Sequence, residues 1–368
     1  MKIFYDHKIF CKQEIGGPSK YFVQLNNHLN KTNVNAKIFA GFHLNKYLKN
    51  YKLKNSIGFE KNFFFSKYFV NTKIVSKINS FNEIINLNFL KSFNPDVIYS
   101  TYYDGSFYTK NKPLVITVFD LIHEIFYKSY GYQNPYYPKK NAIDRANHII
   151  CISKSTTDDL MRFYNVDKNK ISIIHLGTEK KLKPNSGAPI KYPYILYIGN
   201  RHLYKNFEVF LKSLSTEPKI LKNFKIVLFG GKKNFDKNEL NLLELYKIDL
   251  KNFLFFEGSD DLLNSFYQNA RLLIYPSKYE GFGLPILEGF ANNCPVICSN
   301  ISVFKEVAGN AAVYFDPNKH DSLSYTLTKV LFSDLVRQDL INKGKKRIEL
   351  FNWNKCAQET KEVYKKLI

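Results

Sequence analysis

From Lys2 onward the chain alternates short runs of β-branched and aromatic residues with longer stretches whose apolar positions recur at helical spacing. Alternation of this kind argues for βαβ units and for parallel sheets covered by helices on both faces. In the first half the runs that read as strands are Lys2–Tyr5, Ala36–Ala40, Asp96–Ser100, Leu114–Phe119, His148–Ile152 and Ser172–His175. Ser19–Leu29 between two of them places Tyr21, Phe22, Leu25 and Leu29 on one face of a helix. Ser155 followed by Asp158 reads as a capping box for a later helix.

The alternation lapses at Lys180–Pro193, a stretch of Lys, Pro, Gly, Ser and Asn without periodicity that reads as an interdomain linker. It then restarts with strands at Tyr194–Ile198, Lys225–Phe229, Phe253–Phe256, Leu272–Tyr275, Pro295–Ser299 and Ala312–Phe315, and a helix at Asp260–Ala270 capped by Ser259. At 368 residues the chain has room for two domains of ordinary size. The expected division is an α/β domain over 1–185, a second over 186–350, and a helix over 351–368 that returns to the first. The expected architecture is two doubly wound domains facing each other across a cleft.

Charge and cysteine content narrow the setting. Lys and Arg number 54 against 32 Asp and Glu, a formal charge of +22. Residues 1–188 hold 28 basic and 13 acidic residues, so most of the excess lies in the first half. That excess fits a polyanionic partner, such as an anionic membrane surface, an acidic glycan or nucleic acid, and equally a compositional bias toward solvated lysines. Phe63–Phe65 with Tyr68–Phe69, among Lys61, Lys67, Lys73 and Lys77, reads either as core or as an interfacial surface. Five Cys at no metal-finger spacing argue against a disulfide framework and for a reducing compartment. The opening MKIFYDHKIF carries Lys2, Asp6 and Lys8 and does not read as a signal peptide, and no run of 18 apolar residues occurs. A cytoplasmic location, peripheral on the inner face of a membrane, is the expectation.

Several chemistries lack their signatures. There is no phosphate-binding G-x-x-x-x-G-K-[ST] loop, no G-x-S-x-G elbow, no pair of Asp two residues apart and no clustering of His at ligand spacing. Gly16-Gly17 after the first strand lacks the full dinucleotide fingerprint.

The informative stretch is Ser277–Asn300, SKYEGFGLPILEGFANNCPVICSN. Glu280, read as the end of a buried strand, precedes Gly281-Phe282-Gly283-Leu284-Pro285. Its glycines allow a tight turn and close approach to a ligand, and Pro285 suits the first helical position. Amides at such a helix start suit a diphosphate or a sugar hydroxyl. Glu288, read into the first turn, gives a second carboxylate able to accept bonds from sugar or ribose hydroxyls. A cap plus a surface Glu is the plainer alternative.

This stretch resembles the E-x7-E signature of retaining GT-B glycosyltransferases, specifically glycosyltransferase family 4. Gly258-Ser259-Asp260-Asp261 through Tyr267 and Ala270 resembles the helix before the signature, and Glu306-Val307-Ala308-Gly309 and Phe315-Asp316-Pro317 the segment after it. Gly199-Asn200-Arg201 with Lys205-Asn206 resembles the donor-phosphate motif, and Gly16-Gly17 the glycine loop after the first strand. The resemblance is strong over 195–320 and loose over 1–190. It departs at Asn293, where the family usually has Gly; Asn tolerates the left-handed conformation.

The resemblance implies a GT-B fold and transfer of a sugar from a nucleoside diphosphate donor with retention and without a metal or other cofactor. The acceptor is a glycan or a lipid-linked glycan, and the donor phosphate helps to take its proton. Glu280, Arg201, Lys205, His123 and Asp120 are then the catalytic candidates, Arg201 and Lys205 stabilising charge on the leaving diphosphate as a metal would. Gly16, Gly17, Gly199, Asn200, Gly281, Phe282, Gly283, Leu284 and Glu288 are the donor-binding candidates. Asp120, His123 and Glu124 lie in TVFDLIHEIF at the end of an expected strand; many family members carry His where Phe119 stands, so His123 takes that role here. Ser153-Lys154 could line the same region, and Tyr102, Tyr103 and Asp104 could meet the acceptor. The D-L-I-H-E and G-N-R-x-x-Y-K-N elements look most like mannosyltransferases of O-antigen or capsular polysaccharide synthesis, pointing to GDP-mannose, with a rhamnose or glucose donor as alternatives. The alternatives are a nucleotide-sugar epimerase of the same fold, or a basic nucleic-acid-binding protein, for which no binding motif is present.

Overall fold

Each of the expected strands forms, and every strand pairing among the described residues is parallel. The computed structural model describes residues 1–43, 45–50, 56–60, 72–103, 111–130, 136–179 and 187–368. The chain divides into two units, Met1–Gly177 with Trp353–Ile368, and Thr178–Asn352. Residues 180–186 of the expected linker lie outside the described residues, as do Lys61, Phe63–Phe65, Lys67 and Tyr68–Phe69. Lys73 and Lys77 fall on the helix Thr72–Phe93, their side chains undescribed.

The first unit contains β1 (Lys2–Tyr5), β2 (Asn35–His43), β3 (Ser56–Glu60), β4 (Val97–Ser100), β5 (Leu114–Val118), β6 (His148–Cys151) and β7 (Ile171–Ile173), in the order β3-β2-β1-β4-β5-β6-β7. β3 was not legible in the sequence: SIGFE is short, carries a Gly, and pairs with β2 through a register shift between Phe39 and Gly41. The second unit contains β8 (Tyr194–Ile198), β9 (Lys225–Phe229), β10 (Phe253–Phe256), β11 (Leu272–Tyr275), β12 (Val296–Ser299) and β13 (Ala312–Phe315), in the order β10-β9-β8-β11-β12-β13. In both sheets the winding goes outward, then returns to the other side of the first strand. That return leaves a switch point at β1/β4 and at β8/β11, where the loops leaving the strands part to opposite faces.

Strands buried on both faces need continuous apolar sequence, and YILYI, LLIY, VIYS and LVITV supply it. Ile98, Ile116 and Ile149 centre the first core, and Ile195, Ile226 and Ile274 the second. The helix Trp353–Lys365 packs on the first unit, where Tyr364 and Tyr5 share a buried hydroxyl–hydroxyl hydrogen bond of 3.0 Å and Trp353 lies 6.1 Å from the ring of Tyr21. Ser153, not Ser155, caps the helix Lys154–Phe163, its Oγ accepting from the Thr156 amide at 2.9 Å. Ser155 lies inside that helix.

Candidate functional site

In the second unit, the switch point brings together residues far apart in sequence. Register pairing of Ile274 with Tyr197 sets the loop after β11 beside the loop after β8. The β8 loop opens with Gly199 at φ +94° and closes with Asn206 at φ +57°, just before the helix Phe207–Thr216. Asn206 Nδ2 donates to the Pro317 carbonyl at 2.8 Å, and the Lys278 amide donates to the Tyr204 carbonyl at 2.7 Å. These bonds hold the β8 loop against its neighbours. At the meeting point Lys205 Nζ lies 2.6 Å from Glu280 Oε1, which also accepts from Ser277 Oγ at 2.7 Å. Burial, then the Glu280 charge, push the Tyr275 hydroxyl well above its ordinary range. Side-chain exposures of 17% and 11% leave the Lys205–Glu280 pair shielded yet reachable.

Glu280 does not end a strand: β11 stops at Tyr275 and Glu280 lies in the loop beyond it. Gly283 at φ +115° starts the helix Leu284–Ala291, so Pro285 is its second residue and Glu288 lies in its second turn. Gly281 and Phe282 are buried ahead of it. Glu288 Oε2 accepts from the hydroxyl of buried Tyr267 at 3.1 Å, and the same oxygen of Tyr267 reaches the Pro285 carbonyl at 3.2 Å. Asn293 adopts φ +57°, the left-handed conformation that Asn tolerates.

Arg201, expected at the diphosphate, has buried partners within its own unit. Its Nε donates to Glu239 Oε1 at 2.6 Å and its Nη2 to Glu239 Oε2 at 3.2 Å, while Nη1 and Nη2 reach the Lys232 and Asn234 carbonyls at 3.2 and 2.9 Å. With 2% of the side chain exposed, this guanidinium is turned into the fold. Glu239 in turn completes a capping box with Asp236 on the helix Lys237–Leu245. Asn200 stays exposed at the loop surface; its carbonyl accepts from Tyr197 Oη at 2.9 Å. A Cβ on Gly231 would stand 2.9 Å from the Gly199 carbonyl oxygen, so the β8 and β9 loops approach as only glycine permits.

In the first unit, Gly16 and Gly17 begin the helix Gly17–Leu29, with Ser19 Oγ donating to the Gly16 carbonyl at 3.0 Å. Asp120 follows β5, and its Oδ1 accepts from the Ile122 amide at 3.1 Å, starting the helix Ile122–Tyr130. His123 is exposed in the first turn and Glu124 is buried. Phe119, half-buried, packs edge-on against Tyr21 and Phe22 at 5.4 and 6.0 Å. Tyr103 is also turned inward, its hydroxyl accepting from the Phe119 amide at 3.2 Å. Asp104 lies outside the described residues. Ser153 is buried in its capping role. Sequence reasoning missed Lys139, which lies buried against Glu124; a Lys-Lys pair in so basic a chain gives no signal of which one is inside.

Among the described residues no group of three His, Cys, Asp or Glu gathers as a metal site, and no helix is long and apolar enough to cross a membrane.

Two doubly wound parallel units, one carrying a Lys–Glu pair beside a glycine-led helix at its switch point, define the GT-B class of fold. Comparison agrees: Anabaena Alr3699/HepE, solved in complex with UDP and glucose, superposes with a TM-score of 0.72 over 99% of both chains at 13% identity. The family model "Glycosyltransferase Family 4" matches residues 15–181 and "Glycosyl transferases group 1" matches residues 178–347, and the chain belongs to this glycosyltransferase family. It is 30% identical over 239 residues to O-antigen chain mannosyltransferase B of Escherichia coli, covering 61% of this chain and 62% of that protein. It is also 30% identical over 215 residues to O-antigen chain mannosyltransferase RfbU of Salmonella typhimurium, covering 56% and 58%. The chain thus matches about three fifths of the length of these relatives.

Proposed function

We propose that this chain is a retaining glycosyltransferase that moves a hexose, with mannose favoured, from a nucleoside diphosphate to a glycan or lipid-linked acceptor, without a metal. The observation that carries the reading is the 2.6 Å Lys205–Glu280 contact at the β8/β11 switch point. Bond cleavage leaves negative charge on the diphosphate. An ammonium placed at the site supplies fixed stabilisation where that charge develops. Glu280 accepts hydrogen bonds from the sugar hydroxyls, and on donor binding the two side chains exchange their mutual contact for contacts to the substrate. Glu288, held by Tyr267, accepts from the ribose. In the first unit Asp120 and His123 serve the reacting sugar. Mannose is favoured because both O-antigen relatives are named mannosyltransferases.

A panel of UDP- and GDP-sugars tested for thermal stabilisation identifies the donor; one at a hundred times its Kd stabilises by about 2.7 kcal/mol. Glu280→Gln then lowers turnover roughly 10²-fold, which is about 2.7 kcal/mol, without changing the melting temperature. Normal turnover in that variant refutes the assignment. Activity persists in excess EDTA; its loss and rescue by Mn²⁺ refute the metal-free reading. Recovery of an epimer of the donor sugar would instead identify an epimerase. An anionic membrane surface as partner predicts vesicle binding that weakens with salt, and equal binding to neutral vesicles removes that claim.

A further inference from the structure

The Asp120–His123 turn rests on a buried charge cluster whose cation, Lys139, lies outside the D-L-I-H-E element. Lys139 Nζ, on the helix Tyr136–Arg145, contacts both carboxylate oxygens of Glu124, at 2.8 and 2.9 Å. It also donates to the Asp120 carbonyl at 3.1 Å and lies 4.8 Å from the centre of the Tyr103 ring. Tyr164, after the helix Lys154–Phe163, donates its hydroxyl to Glu124 Oε1 at 2.8 Å. Side-chain exposures are 5% for Lys139 and 0% for Glu124. Tyr103 holds the Phe119 amide at 3.2 Å, so the turn is gripped at the amide of one residue and the carbonyl of the next.

A buried ion pair of this kind is not an efficient stabiliser, because desolvation offsets most of the attraction and packed apolar side chains of similar volume do as well. What apolar side chains lack is a directed bond to a carbonyl. We infer that Lys139, with Glu124 fixing its ammonium, is a positioning residue for the reaction: it sets the height and direction of the Asp120–His123 turn at the end of β5. Tyr103 contributes from the amide side. The inference rests on the proposed role of Asp120 and His123.

The test uses the full chain and the nucleotide sugar that stabilises it most in the panel, with nucleoside diphosphate release as the readout. The double variant Glu124→Gln/Lys139→Met removes both charges together and keeps the volume. It is expected to fold, to keep the wild-type donor KM, and to lose roughly ten- to a hundredfold in kcat, the scale of a small misplacement of reacting groups. In a His123→Ala background the same double change is expected to cost less than about threefold, since the residue it positions is already gone. Should the double variant not fold, Tyr103→Phe, which removes only the acceptor for the Phe119 amide, is carried through the same cycle. Unchanged kcat in a folded variant overturns the inference, and so does a loss of equal size in both backgrounds. If His123→Ala and Asp120→Asn both turn over at the wild-type rate, the reading of the turn itself fails and takes the inference with it. That outcome is told apart from the others by the single variants alone.

Discussion

The two units each bury an ion pair beneath a strand-end loop, and the pairs are built alike. In the first, Lys139 joins Glu124 to the Asp120 carbonyl; in the second, Arg201 joins Glu239 to the Lys232 and Asn234 carbonyls. In both, a cation satisfied by a carboxylate also holds backbone that no ladder holds. The units differ in where the motif residues sit. In the first unit the motif supplies the buried anion, Glu124, while the cation, Lys139, comes from outside it, and Asp120 and His123 stand beside the pair. In the second unit a motif residue, Arg201, is itself the buried cation, and Lys205 and Glu280 are left to face each other with partial exposure. A basic residue of such a loop therefore takes its partner from which way the loop turns it, and the guanidinium fork suits a carboxylate plus carbonyls as well as a phosphate.

The sharpest way to break this comparison is Arg201→Ala. It leaves Glu239 buried without its cation, and the expected loss of stability is about 3–5 kcal/mol, read by urea unfolding. Full stability with lost turnover would return Arg201 to the diphosphate. Lys205→Ala is next: kcat falls about 10²–10³-fold, or some 2.7–4 kcal/mol, with only minor destabilisation because the pair is partly solvated. A variant that melts early yet turns over normally would make Lys205 the structural cation of the unit. Tyr267→Phe removes one hydrogen bond to the Glu288 carboxylate. That raises donor KM about tenfold, the worth of a bond to a charged group, with kcat unchanged. A kcat effect instead would place Glu288 at the reacting centre.

The smallest expected effect concerns the helix that carries Glu239. The Asp236 carboxyl is held below its ordinary value, first by the bond from the Glu239 amide. Its folded value being the lower one, its contribution is present above the unfolded value of about 3.9 and is lost as pH falls through the folded value. Asp236→Ala should cost about 1 kcal/mol near neutrality, and the gap between wild type and variant should close on acidification. A gap independent of pH would show that the cap acts without its charge.

Much of this was legible in the chain itself. Parallel sheets followed from runs such as YILYI and LVITV separated by helical stretches, since strands buried on both faces need such continuous apolar sequence. The turn into the helix Leu284–Ala291 followed from Gly283 and Pro285, whose backbone preferences are local. β3 was not legible, because a five-residue strand with a central glycine exists by pairing with β2. Tertiary structure alone decided which charges are spent. Lys139 and Lys140 are neighbours in sequence, yet one is buried on Glu124 and the other pairs at the surface with Asp144. Arg201 and Lys205 share one loop, yet only Lys205 meets Glu280. Sequence fixes a charge's sign and the local turn that carries it; whether Lys139, Arg201 or Lys205 is neutralised in the interior or left for a ligand depends on partners 15, 38 and 75 residues away, which only packing brings within reach.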